Sequence, residues 1–160
     1  MQLVHNEPPR YCDTMITDFS NPLFQTAFKK YFGELGYAIR NWDALFTEMN
    51  DGSDTAAIVR TLADGEVIGF ILFCPVTFAS WFFEETCGFI REFWVAEAFR
   101  NQKHGSALLD LVEKHFLDAG IYTSILTTDT AARFYERHGY VKALGCKAKN
   151  HDDVWIKHLQ

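Results

Sequence analysis

The sequence predicts an α/β domain, a mixed sheet with helices on both of its faces. Runs rich in β-branched and aromatic residues alternate with segments whose apolar residues recur every three to four positions, the periods of strand and helix. One run, EVIGFILF at residues 66–73, is apolar at nearly every position, as in a strand covered on both sides. The 160 residues are 48% apolar and 22% charged, ordinary proportions for a soluble chain with a sizeable core. No repeat, linker or low-complexity tract divides it, so residues 1–160 read as one domain.

Asn21-Pro22 is a helix start, and Leu23, Phe24, Ala27, Phe28, Tyr31, Phe32 and Leu35 follow with helical spacing, predicting a helix over 22–38. A second short helix is expected at 42–49. TAAIVRTL and EVIGFILF are β-rich runs joined by ADG, a hairpin signal. Pro75 then marks a bulge or the end of regular pairing. GFIREFWVA, residues 88–96, reads as the next strand. Ser106 to Ala119 forms a long helix with Ala107, Leu108, Leu111, Val112, His115 and Phe116 on its buried face, stopped by Gly120. YTSILTT is a strand, DTAARFYERHG a short helix ending at Gly139, and YVKALGC with DVWIKHL a closing hairpin.

Several classes are excluded. The longest apolar run, VIGFILFCPV, falls far short of the roughly 20 residues that span a bilayer, and MQLVHNEPPRY lacks the pattern of a signal peptide. A cytoplasmic protein with no membrane partner is expected. Cys12, Cys74, Cys87 and Cys146 are widely spaced without a C-x-x-C, and the six histidines contain no H-E-x-x-H, so neither a disulfide framework nor a metal site is expected. A net charge of −6 argues against nucleic-acid binding and suits a cationic substrate.

The stretch FRNQKHGSALL, residues 99–109, holds the chemistry. It joins the strand ending FWVA to the helix beginning near Ser106, and ligands of open α/β sheets bind beyond the carboxyl ends of strands. Unpaired N–H groups at residues 101–106 and the positive end of the helix dipole favour a phosphate, with Arg100 and Lys103 adding charge. A plain polar strand-to-helix loop is the competing reading, since neither nucleotide-binding glycine motif is present.

A second element, AARFYERHGY, weighs on that choice. Together the two stretches resemble the GNAT superfamily of acyl-CoA-dependent N-acyltransferases, whose cofactor loop is R/Q-x-x-G-x-G/A and whose later helix carries A-x-x-F-Y-x-x-x-G-F/Y. Arg100 and Gly105 match the loop; Ala131, Phe134, Tyr135, Gly139 and Tyr140 match the second element in full. The chain departs from the pattern at Lys103, where the loop has its first glycine, and at Thr128, where an asparagine is frequent.

The resemblance implies a mostly antiparallel sheet with a splayed central strand pair, and acetyl-CoA as co-substrate. It places the backbone of Phe93, Trp94 and Val95 along the pantetheine arm. The pyrophosphate would sit on Asn101, Gln102, Lys103, His104, Gly105 and Ser106, with Thr128 or Arg133 toward the cofactor's far side. It further implies N-acetyl transfer to a primary amine, small molecule or peptide, by direct attack in a ternary complex. Tyr135 is then the candidate general acid, a phenol of ordinary pKa about 10 facing a thiol near 8.5, and Glu92 the candidate base for an ammonium near 10.4. A non-catalytic acyl-CoA-binding or regulatory module on the same fold is the alternative. Glu92 could instead pair with Arg91 or Arg133; Trp94 and Phe134 read as packing residues, and His104 and His138 as solvated. FASWFFEET, residues 78–86, lines an acceptor pocket, forms a homodimer contact or is buried, with burial or dimerisation favoured.

Overall fold

A computed structural model describes residues 10–52 and 54–160. The strands are β1 (Tyr11–Ile16), β2 (Ala56–Leu62), β3 (Val67–Ala79), β4 (Glu84–Val95), β5 (Thr123–Thr128), β6 (Val141–Lys147) and β7 (Asp153–His158). The helices are α1 (Pro22–Leu35), α2 (Trp42–Asp51), α3 (His104–Asp118) and α4 (Ala132–Arg137). One sheet runs in the order β1-β2-β3-β4-β5-β7-β6, with every paired neighbour antiparallel except β4 and β5. The expected α/β class and mostly antiparallel sheet are therefore observed. Among the described residues no helix is long and apolar enough to cross a membrane. The leader reading of MQLVHNEPPRY falls almost entirely outside the described residues.

Alternation along the strands splits the core in two. On one face α1 and α2 supply Phe24, Phe28 and Phe46 against Val59, Phe70, Leu72 and Trp94. On the other, Leu108, Val112 and Phe116 of α3 and Tyr135 of α4 cover Ile58, Ile71, Phe73, Ile90 and Leu126. Residues 67–73 of β3 are buried throughout, which is why that run shows no polar alternation. Asn21 caps α1 by accepting from the Leu23 N–H (2.9 Å), and Gly36, at φ 80°, ends it in the left-handed conformation that glycine adopts without a Cβ penalty.

Three expectations need correction. The sequence reading has no strand at Tyr11–Ile16, yet β1 forms along the sheet edge, where Tyr11, Cys12 and Asp13 face solvent and leave little apolar signal. Close to Pro75 regular pairing does change: β2 pairs no further than Phe73 and the ladder with β4 shifts register between Leu72 and Phe73, while β3 itself continues to Ala79, paired with β4. Leu111 lies on the exposed side of α3, while Leu109 takes the buried position. The aromatic stretch is not buried either, because the β3–β4 hairpin extends past its neighbours and leaves Trp81 (97%) and Phe82 (98%) exposed at its tip.

Gly88 positions the divergence at the centre of the sheet. It is one of two β4 residues paired with β5, and a Cβ built on it would lie 2.4 Å from the ring of Phe116, itself fully buried. Gly88→Ala must therefore displace that ring. The expected cost is about 1–3 kcal/mol of stability, read as a lowered thermal midpoint, and Phe116→Leu in the same chain should recover part of it. An unchanged midpoint for Gly88→Ala would show that α3 shifts freely over the sheet.

Candidate active site

The strands β4 and β5 are paired only at Gly88–Ser124 and Phe89–Ile125. Beyond Phe89 they part. From Ile90 to Val95, β4 keeps β3 as its sole neighbour, with Ile71 opposite Phe93, Phe70 opposite Trp94 and Gly69 opposite Val95. One backbone edge of Phe93–Val95 thus has no strand partner among the described residues, which is costly for those of its polar groups that nothing else hydrogen-bonds. A cavity of about 630 Å³ opens beside this edge, walled by Phe93 and Val95, the loop residues 99–101 and 103–106, and Ala131, Phe134, Tyr135, Arg137 and His138 of the second motif.

The loop turns on two left-handed residues, Asn101 (φ 62°) and Lys103 (φ 68°). This is a conformation a lysine adopts at a cost of roughly 1–2 kcal/mol. The family's glycine at position 103 therefore has a backbone rationale, and the lysine keeps the same turn. The first helical bond of α3 runs from the Ala107 N–H to the Lys103 carbonyl (3.1 Å), so the N–H groups of His104, Gly105 and Ser106 have no intrahelical acceptor. No acidic side chain in the first turn offsets the positive end of the helix. Free N–H groups and the positive end of α3 on the cavity wall are the arrangement that can accept an anion.

Residues singled out from sequence divide by location. Phe93, Val95, Arg100, Asn101, Lys103, His104, Gly105, Ser106 and Tyr135 line the cavity. Gln102 does not; its amide donates to the Ala98 carbonyl (3.2 Å). Trp94 buries its side chain on the opposite face and donates its indole N–H to Glu34 of α1. The hydroxyl of Thr128 accepts from the N–H groups of Thr130 (3.3 Å) and Ala131 (3.1 Å), shaping the entry to α4. Arg133 is exposed and outside the cavity wall. Arg100 borders the cavity, yet its guanidinium is engaged by Glu34 (2.5 Å) and the Val95 carbonyl (2.9 Å).

Glu92 lies on the α1 side of β4, where it accepts a hydrogen bond from the Tyr31 hydroxyl at 2.7 Å rather than pairing with Arg91 or Arg133. Burial first, and then this bond to a carboxylate, hold the Tyr31 phenol well above its usual pKa; the Tyr135 phenol adds a smaller like-signed contribution. Tyr135 is 6% exposed, and burial raises its pKa as well, so it stays protonated across the neutral range. No partner for its hydroxyl is seen among the described residues.

Both histidines depart from the solvated reading. His104, 2% exposed, takes Arg60 Nη1 at 3.1 Å on Nδ1, while Arg60 grips Asp13 through two 2.8 Å bonds. A guanidinium can only donate, so His104 is neutral, with its proton on Nε2. Burial, and then the Arg60 charge, lower its pKa, with Asp13 opposing. His138 at the end of α4 donates from Nδ1 to the Phe134 carbonyl (2.7 Å) and meets the Ser106 hydroxyl with Nε2 (2.9 Å). Together with Arg137, it is what sequence reasoning missed; the signal was the four-residue step from Phe134 to His138, which returns a side chain to the preceding turn.

The depressed pKa of His104 has a measurable consequence. The unfolded chain binds a proton there below its ordinary pKa of about 6.5, and the folded chain resists it. Stability is thus present above that pH and is lost as pH falls through the lowered folded value. His104→Leu should flatten the fall in thermal midpoint between pH 7 and pH 5; an identical fall in both proteins would assign the acid sensitivity elsewhere.

Comparisons with known proteins bear on this geometry. The sequence profile of the acetyltransferase (GNAT) family matches residues 15–140. No curated protein sequence matches the chain significantly. Among solved structures, a candidate GNAT-family acetyltransferase from Desulfovibrio desulfuricans superposes with a TM-score of 0.73 at 14% identity, covering 94% of this chain and 100% of that one. Arabidopsis thaliana NAA60 bound to a bisubstrate analogue gives 0.69 at 19% identity over 94% and 99% of the two chains. The same protein with acetyl-CoA gives 0.65 at 20% identity over 92% and 96%. At these identities the superpositions show a shared fold.

Proposed function

Because the chain belongs to the acetyltransferase (GNAT) family, whose members take their acetyl group from acetyl-CoA, we propose that it transfers this group to a primary amine by direct attack in a ternary complex. The observation that carries the proposal is the free edge of Phe93–Val95 opening onto a cavity shared by the α3 N-terminus and Tyr135. These residues fit the co-substrate in three respects. An extended amide-bearing arm can pair with the free edge, a pyrophosphate matches the unsatisfied N–H groups of residues 104–106, and about 630 Å³ lies within the range of small-molecule sites. That NAA60 has been crystallised with acetyl-CoA on the same fold is consistent with this placement.

Acetyl-CoA supplies an activated thioester. The chain must then accept a proton from the amine, hold the developing oxyanion and protonate the leaving thiolate. An N–H on the free edge of β4 is the proposed oxyanion donor, fixed in place by pairing with β3 and so costing no reorganisation. Tyr135 is the proposed acid. Burial keeps its phenol protonated across the neutral range, and Tyr135 lines the cavity. Glu92, directly or through water, is the proposed base. The Tyr31 bond occupies Oε2, leaving Oε1 for an amine that enters between β4 and β5. A net charge of −6 suits the approach of a cationic amine.

Release of free CoA from acetyl-CoA in the presence of a mixed amine panel tests the function; a protein that binds the nucleotide but never releases thiol would be the binding module instead. Tyr135→Phe should keep cofactor affinity and lower kcat by roughly 100-fold or more, the usual worth of a positioned proton donor. Unchanged turnover would hand protonation to water. Glu92→Gln should abolish the acid limb of the pH–rate profile, and a limb that persists would return Glu92 to a purely structural role with Tyr31.

A further inference from the structure

His138 belongs to no part of the mechanism above, yet it is wired into the anion-binding wall. Its Nδ1 faces a backbone carbonyl, an obligate acceptor, so Nδ1 carries a proton in every state of the ring. In the neutral ring Nε2 is therefore a bare acceptor, and the Ser106 hydroxyl must spend its one proton on it. Ser106 then turns lone pairs toward the cavity at the very position where an anion needs donors. Protonating His138 reverses the bond: Nε2–H donates to Ser106 Oγ, and the hydroxyl proton is freed to point into the cavity.

We propose that His138 is a positioning residue that takes up a proton from solvent when a pyrophosphate enters, flipping the Ser106 hydroxyl from acceptor to donor. This inference rests on the acetyl-CoA reading of the cavity. The surrounding charges set its direction. Arg100, Lys103 and Arg137 share the wall with His138, and His104 and Tyr135, both neutral, complete its titratable groups. Behind Gly139, Lys157 is bound by Glu113 at 2.5 Å. Arg100 is already paired with Glu34 and Lys157 with Glu113, which leaves Lys103 and Arg137 as the cations of the cavity wall with no carboxylate partner among the described residues, and a bound pyrophosphate supplies a negative charge that none of the wall groups carries. The Phe134 ring, 4.4 Å from the imidazole, holds it in place for both states.

Calorimetric titration with dephospho-CoA tests this. The ligand lacks the phosphate monoester whose second pKa of about 6 would itself exchange protons. Heats measured at pH 7.5 in buffers of low and high ionisation enthalpy should differ for the wild type by uptake of a fraction of one proton per ligand. Affinity should rise as pH falls from 8 to 6.5, by at most about tenfold per unit for one linked proton. His138→Gln should bind with no buffer dependence and a flat pH response. Ser106→Ala, which leaves the imidazole in place, should also lose most of the uptake. Buffer-independent heats in the wild type, or full uptake retained in either variant, would overturn the proposal. Absence of any binding heat would instead strike the acetyl-CoA reading, so the two failures are distinguishable.

Discussion

The parting of β4 from β5 after only two residue pairs governs the whole site. A parallel pair at the centre of a sheet is normally zipped along its length, because each unpaired N–H and carbonyl inside a fold is a debit of roughly 1–3 kcal/mol. Here the separation is held open from outside the gap. β3 keeps the far edge of β4 in register through Val95, β7 does the same for β5 through Thr128, and α1 grips β4 from above. Tyr31 holds Glu92, while Glu34 holds both Trp94 and Arg100. A cleft built this way is held by the protein's own contacts, and preorganisation of that kind reduces the ordering cost of binding.

Strand alternation then assigns the two sides of β4 different work. Glu92 and Trp94 point to α1, whereas Phe93 and Val95 point to α3 and α4, where Phe134 meets Phe93 edge-on. A carboxylate on one face and a phenol on the other would ordinarily be insulated by the sheet itself. In this chain β5 pairs with β4 only at Gly88 and Phe89, so beyond Phe89 the two faces of β4 meet along an edge that β5 does not cover. The proposed acid and base are thus separated by the one strand whose backbone is proposed to hold the oxyanion, an arrangement that a fully paired sheet could not provide.

Much of this was legible in the residues. Both faces of β3 announce themselves in EVIGFILF, Asn21-Pro22 marks the start of α1, and the two motif stretches converge on one cavity as the family resemblance implies. What stayed hidden has a common cause. Glu34 reaches Arg100 across 66 positions, Arg60 reaches Asp13 across 47 and His104 across 44, and no local period encodes such partners. The same holds for the exposed hairpin tip: FASWFF reads as buried or dimer-forming because composition reports hydrophobicity, while exposure depends on β2 and β5 stopping short of it. His138 was misread for the opposite reason, since a histidine beside a helix-ending glycine has the composition of a surface residue and becomes a wall residue only once α4 docks on α3.

The charge arrangement is compatible with the proposed anion site in an acidic chain. Two of the arginines nearest the loop are committed to carboxylates, Arg60 to Asp13 and Arg100 to Glu34, and the histidine between them is kept neutral. Those pairs therefore shape the loop without adding much field to it. What remains to attract a phosphate is the unoffset N-terminus of α3 together with Lys103 and Arg137 at the rim, all partly hydrated and screened by salt. A field this modest favours a ligand that also satisfies the N–H groups by close contact over one that merely carries charge. On the proposed reading, selectivity for a pyrophosphate on an extended arm would come from the backbone, with its left-handed turn at Lys103 and free edge at Phe93–Val95, more than from any single cation.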